Sequence, residues 1–150
     1  MLLHGWNREL AAWAADHLGL KDFDFGPCVS IGIVHKGDIV GAVVFNEYRH
    51  PNIQITFVTT SPRWASPGAV KTVLSYPFNR LGCKRITAIT NAKNQPARAF
   101  LCRVGFREEG VHPDALPDGD AVTYGLLRKD AARWLLEEKP RVETISSGRA

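Results

Sequence analysis

The sequence predicts a mixed α/β (α+β) domain on one central sheet, and three observations carry that prediction. The apolar period switches between helical and alternating several times within 150 residues. Two β-rich runs flank Lys36-Gly37-Asp38, a hairpin signal, and a third run follows Pro51-Asn52. A helical run from Val70 to Leu81 then stands between two β-runs, which implies a crossover and a locally parallel pair in a mostly antiparallel sheet.

The elements follow in order. Trp6, Leu10, Trp13, Ala14 and Leu18 recur at helical spacing, with Gly19 as a stop. Val29 to Thr60 reads as a three-stranded antiparallel meander. Val70, Val73, Leu74, Phe78 and Leu81 give a buried helix face, and Pro77 within it predicts a kink or early fraying. Gly82 closes that helix, and RITAITN is a short buried strand. Asn94 caps the next helix, with Pro96 in its first turn and Ala97, Phe100, Leu101 and Val104 inward. FREEGV reads as a strand, HPDALPDGD as a polar loop and AVTYGLLR as the last strand. Lys129 to Glu138 reads as a terminal helix. Residues 1–138 make one domain, and 139–150 lack a core-forming pattern and read as a mobile tail. MLLHG is too short to claim as a strand.

Composition narrows the function classes. Hydrophobic residues are 45% and charged residues 23%, values of an ordinary globular chain. No apolar run reaches membrane-span length, and the start lacks the basic region and cleavage site of a secretory signal. The odd count of three cysteines, with no CxxC, reads as reduced thiols in a cytoplasmic protein. The histidines have no metal-ligand spacing, so no metal site is expected. A net charge of +4 suits an anionic ligand. The basic residues are scattered, which argues against nucleic acid as partner.

RWASPGAVK, residues 63–71, admits two readings. Ser66 is a good N-cap and Pro67 suits the first helical position, which describes an ordinary helix start. Equally, a β-run ending in Thr59-Thr60-Ser61 leads into a helix start whose N–H groups and dipole favour an anion, with Arg63 and Lys71 nearby. Neither a Walker loop nor a GxGxxG fingerprint is present.

Together with NQPARAFLCRVGF on the next helix, this stretch resembles the GNAT superfamily of acyl-CoA N-acetyltransferases. That family's pyrophosphate loop, (Q/R)xxGx(G/A), falls on Arg63-Trp64-Ala65-Ser66-Pro67-Gly68, with Ser66 in place of the first glycine. Its downstream signature NxxAxxxxxxxGF is matched by Asn94, Ala97, Gly105 and Phe106. FREEGVHPDALPDGDAVTYGLLRKD looks like the branch that includes ribosomal-protein N-terminal acetyltransferases. The resemblance covers roughly residues 28 to 136.

The resemblance implies a GNAT-like sheet with a splayed parallel pair, acetyl-CoA as co-substrate and a primary amine as acceptor, on a small molecule or a protein. It leaves a homodimer open. The strand Thr56-Phe57-Val58 would pair with the pantetheine arm and the N–H groups of residues 64–69, including Trp64, Ala65, Ser66, Gly68 and Ala69, would hold the pyrophosphate, with Thr59 and Arg63 also in the co-substrate site. Asn94 and Ala97 would complete the co-substrate site. Two family positions are altered: Leu101 stands where many members place a proton-donating tyrosine, and Gln54 where a glutamate is frequent. The remaining candidate bases are Glu47, His50, His112 and Asp114, with the acceptor entering between the Arg49-His50 turn and the HPDALPDGD loop. The rival readings are a catalytically weakened CoA-binding module and a basic nucleic-acid adaptor.

Overall fold

A computed structural model describes residues 1–20, 24–60 and 64–135. Seven strands form one sheet: β1 (Leu2–His4), β2 (Cys28–His35), β3 (Asp38–Arg49), β4 (Asn52–Thr59), β5 (Arg85–Asn91), β6 (Arg107–Leu116) and β7 (Gly119–Leu127). Their spatial order is β1-β2-β3-β4-β5-β7-β6. All pairings are antiparallel except β4–β5, which is parallel. The helices are α1 (Asn7–His17), α2 (Pro67–Ser75), α3 (Gln95–Val104) and the short α4 (Ala132–Leu135).

The β2–β3 hairpin turns where the sequence signals it. Lys36 and Gly37 both have positive φ, 53° and 84°, and His35 pairs with Asp38. Two consecutive left-handed residues match the right-handed twist of the strands they join.

The parallel pair β4–β5 is short. Its register runs from Asn52↔Arg85 to Ile55↔Ala88 and stops there. Beyond that point β4 continues against β3 through Thr59, while β5 continues against β7 through Asn91. The two central strands therefore part at their C-terminal ends, and a cleft opens between them.

Alternation along β3 and β4 divides the core into two layers. On one face α1 sets Leu10 and Ala14 against Ala42, Val44 and Val58. On the other, α2 (Val70, Val73, Leu74) and α3 (Leu101, Val104) cover Val43, Phe45, Ile55, Ile86, Tyr124 and Leu126. Helix α1 packs over β2 and β3. On the α1 side of the sheet, β5, β7 and β6 present Arg85, Thr87, Glu109, His112 and Thr123, whose side chains bond to one another.

Three expectations change. MLLHG does contain a strand, because Leu2–His4 adds to the edge of β2 in antiparallel register. Its three residues are too few to show a period, and β2 supplies what the period lacks. HPDALPDGD is not a loop: β6 runs on to Leu116, and Pro117-Asp118 alone form the turn into β7. Pro113 and Asp114 are accommodated in an irregular register between His112 and Leu116 on the outermost strand, where a missing N–H costs no ladder bond. The helix through Pro77 does not fray but widens into a π-helical turn, Tyr76–Arg80, closed by Leu81 N–H donating to Tyr76 O at 3.0 Å. Pro77 has no N–H for a normal helical bond, and the wider turn absorbs the loss. At the C-terminus, a 3-10 turn (Arg128–Ala131) precedes α4. The remainder of the expected terminal helix, and the tail, lie outside the described residues.

Candidate active site

The cleft between the parted strands holds a cavity of about 430 Å³. Thr56 and Phe57 line one side and Ile89, Thr90 and Asn91 the other. The start of α3 contributes Asn94 and Ala97, and the β6–β7 turn contributes Leu116, Pro117 and Asp118. The C-terminal end of α1 reaches it through Leu18, Gly19 and Leu20. Thus β4, β5, α1, α3 and one hairpin turn converge here, and only a folded sheet brings them together.

A second cavity, about 490 Å³, lies at the start of α2. Trp64, Ser66, Gly68, Ala69 and Thr72 line it. Aromatic packing lies between the two cavities. Trp64 stacks on Phe57 with centroids 5.7 Å apart, and Phe100 sits 5.4 Å from each ring. Trp64 is buried by these contacts.

The co-substrate residues expected from the sequence divide accordingly. Phe57, Asn94 and Ala97 line the cleft; Trp64, Ser66, Gly68 and Ala69 line the cavity at α2. Val58 points to the opposite face and is buried with α1, so its backbone alone faces along the strand edge. The Thr59 hydroxyl donates to Val40 O at 3.3 Å. Ala65 packs, half-buried, against the core. Arg63 lies outside the described residues.

At the start of α2, several N–H groups are already engaged. Ser66 Oγ accepts from Ala69 N–H at 3.2 Å, Val70 N–H donates to Ser66 O, and Ser66 N–H donates to Trp64 O at 2.8 Å. Pro67 has none to offer. Gly68 is exposed, and a Cβ built there would meet no heavy atom within 4 Å. The surface at Gly68 is therefore open to a bulky group on the helix axis, where the dipole favours an anion. Asn94 likewise caps its own helix, its Oδ1 accepting from Ala97 N–H at 3.2 Å.

None of the four candidate bases lines the cleft. Glu47 and His50 lie at the β3–β4 turn, beside the paired end of the parallel strands. Four residues of β4, about 13 Å at strand rise, separate Asn52 from Thr56 where the cleft begins. The Arg49-His50 turn is thus at the opposite end of the sheet from the β6–β7 turn, and only the latter borders the cleft. His112 is at the correct end. It lies on β6 level with Asn91, and its Nε2 is 3.2 Å from Thr123 Oγ1, the residue paired with Ile89. Asp114 sits in the bulge with φ 55°, its N–H donating to Asp120 Oδ1.

Leu101 is buried in the cleft wall, and Gln54 pairs with Thr87 below the point of divergence. Tyr124 is fully enclosed. Its hydroxyl accepts from Arg98 Nε at 2.8 Å, and Arg98 also donates to Ala92 O and Glu108 Oε1. This guanidinium fixes the first turn of α3, and with it Asn94 and Ala97, against β7. Asp118 and Asn91 escaped sequence reasoning. Asn91 ends a strand and Asp118 occupies a turn, so neither carries a pattern of its own until the hairpin folds beside β5.

Comparisons with known proteins agree with this architecture. A family model described as "Acetyltransferase (GNAT) family" matches residues 2–106. An uncharacterized N-acetyltransferase, YoaA of Bacillus subtilis, is 28% identical over 79 residues; the match covers 49% of this chain and 45% of that protein, less than half its length. A structure of Mycobacterium smegmatis RimJ in complex with CoA-disulfide is similar with a TM-score of 0.64 at 22% identity, covering 90% of this chain and 87% of that one. A spermidine N-acetyltransferase SpeG chimera from Vibrio cholerae and hSSAT gives a TM-score of 0.70 at 14% identity, covering 87% of this chain and 97% of that one. At such identities the structural likeness concerns the fold.

Proposed function

Because the chain belongs to the acetyltransferase (GNAT) family, we propose that it transfers an acetyl group from acetyl-CoA to a primary amine, by direct attack within a ternary complex. The observation that carries this reading is the cleft between β4 and β5, whose wall residue Phe57 stacks on Trp64, itself part of the second cavity at the open helix start of Gly68. That layout suits a long ligand with an acyl group at one end and phosphates at the other. The CoA-disulfide held by the structurally similar RimJ supports the same ligand class.

The chain's own residues have limited chemistry to supply. The edge of β4 beyond Ile55 offers backbone amide groups to an extended arm and to a polarised carbonyl. The aromatic group of Phe57, Trp64 and Phe100 shields that arm from water. Attack forms an N–C bond and breaks a C–S bond. A thiol of pKa about 8.5 leaves readily as thiolate, so Leu101 in place of an acid is tolerable. Positioning of amine and thioester does most of the work. Of the four polar candidates, His112 has the best placement to take the amine's proton through solvent.

Titration with acetyl-CoA, followed by a thiol-release assay over a panel of amines and peptide N-termini, tests the reading. Saturable binding and amine-dependent thiol release are expected. Absence of binding at millimolar acetyl-CoA overturns it. The buried Leu101, and a cleft without any of the four candidate bases, favour one second reading, a CoA-binding module that does not turn over. Saturable binding with no thiol release for any amine would select that reading.

A further inference from the structure

Among the described residues that line the cleft, Asp118 is the one ionisable side chain. The rest of that lining is apolar, amide or hydroxyl in character. Asp118 is also held in place. Asn91 Nδ2 donates to its Oδ1 at 2.8 Å, and Lys93 Nζ donates to its backbone carbonyl at 2.7 Å. Lys93 N–H in turn donates to Asn91 Oδ1 at 2.9 Å, which fixes the amide's orientation. The end of β5 thus grips the β6–β7 turn, and Asp118 lines the cleft with one carboxylate oxygen unengaged. Among the described residues that second oxygen, Oδ2, has no partner. Lys93's ammonium is bound to the carbonyl and forms no ion pair with the carboxylate.

We infer that Asp118 is a specificity-determining residue that pairs with the ammonium group of the acceptor as it enters the cleft. The inference rests on the acetyltransferase reading and narrows its acceptor to a cationic amine on an apolar stem. An alkylamine, with a pKa about 10, arrives protonated at neutral pH. A fixed carboxylate with one oxygen free is the group that recognises it, by a charge-assisted hydrogen bond. Leu18, Ile89, Leu116 and Pro117 line the same cleft and offer apolar contact for the stem. The Lys93 charge nearby offsets the carboxylate at long range. Selection therefore operates through direct pairing at Oδ2, not through a field over the whole mouth.

The test uses the full chain saturated with CoA, and the same chain without CoA, each titrated with phenethylamine and with neutral 2-phenylethanol. The side-chain amide resonance of Asn91 is the reporter, since Asn91 touches Asp118 directly. Asp118→Asn keeps an oxygen acceptor for Asn91 and removes the charge. It is expected to weaken phenethylamine binding about tenfold, the scale of a hydrogen bond to a charged group, and to leave 2-phenylethanol unchanged. A purely structural role for Asp118 would weaken phenethylamine and 2-phenylethanol alike. Equal amine affinity in the two proteins overturns the inference, as does the absence of saturable amine binding in the unsubstituted chain. Failure of CoA to bind would instead count against the acetyltransferase reading, and the amine titration of the free chain separates the two.

Discussion

Arg85 and Glu109 join β5 to β6 across the face of β7, Nη2 donating to Oε1 at 2.7 Å and Nη1 to Oε2 at 3.1 Å. Arg85 is anchored from behind, since its Nε also donates to Asn52 Oδ1 and Thr87 Oγ1. Hydrogen bonding to Arg85 holds the Glu109 carboxyl below its ordinary range. A lowered folded-state value stabilises the fold above the unfolded pKa, about 4.3, and that contribution is lost as pH falls through the folded value. Glu109 is 41% exposed, so solvent screens the pair. Glu109→Gln is therefore expected to cost less than about 1 kcal/mol at pH 7. The difference from the unsubstituted chain should narrow as pH falls below the unfolded value of about 4.3. Urea denaturation across that range measures it.

Gly125 lies beneath this pair. A Cβ there would fall 2.3 Å from Glu109 Oε2 and 2.7 Å from Arg85 Nη2. Both atoms end flexible side chains, so they can move aside while the backbone stays. Gly125→Ala is expected to break the ion pair at a cost similar to Glu109→Gln. In combination the two substitutions should cost little more than either alone, because they remove the same interaction. A double-mutant cycle by chemical denaturation reads the coupling, and full additivity would show that the pair is not what Gly125 serves.

The start of α2 separates binding from folding. A Cβ at Gly68 meets no heavy atom within 4 Å, and Gly68→Asp places a carboxylate in the first helical turn, where the dipole favours it. Stability is expected to stay level or rise by about 0.3–1 kcal/mol. Acetyl-CoA affinity is expected to fall about tenfold or more, as charge repels phosphate across a short gap. Ser66→Ala acts in the other direction. It removes the cap on Ala69 N–H and should cost about 1 kcal/mol of stability. Thermal melts and ligand titrations on both variants give the two readouts.

The three thiols should react in a fixed order. Cys102 is exposed, Cys28 half-buried and Cys83 buried, and burial pushes the Cys83 thiol above its ordinary pKa. Fewer thiolate ions and no solvent access both slow alkylation. Iodoacetamide at pH 8 followed by peptide mass mapping should label Cys102 first and Cys83 only on unfolding.

Much of this architecture is written locally in the sequence. RITAITN is β5 to the residue, because a buried strand bounded by turn residues needs no distant information. Asn94 is the cap it resembles, with Pro96 and Ala97 in the first turn. Lys36-Gly37 supplies two left-handed residues on demand. The hairpin at residues 107–127 was harder, since Pro113, Asp114 and Pro117 signal a loop, and only an edge position lets a strand carry them. The cleft was legible in outline through the family resemblance, which pointed to Phe57, Asn94 and Ala97. Its polar wall was not. Asn91 and Asp118 are 27 positions apart, and their contact exists only after β7 has folded back beside β5. The place of Glu47 and His50 was hidden for the same reason: strand direction, invisible in a list of polar residues, carries them to the far end of the sheet from the cleft.

The early end of the β4–β5 register leaves β4 with a double character. For its first half it is an interior strand, with neighbours on both sides; from Thr56 to Val58 it has the chemistry of a sheet margin in the middle of the molecule. Margins of that kind normally invite another chain, yet this one borders the cleft and is flanked by the packed rings of Phe57, Trp64 and Phe100. The sheet is in effect half a strand short. What it lacks has the length of three residues and the spacing of peptide groups.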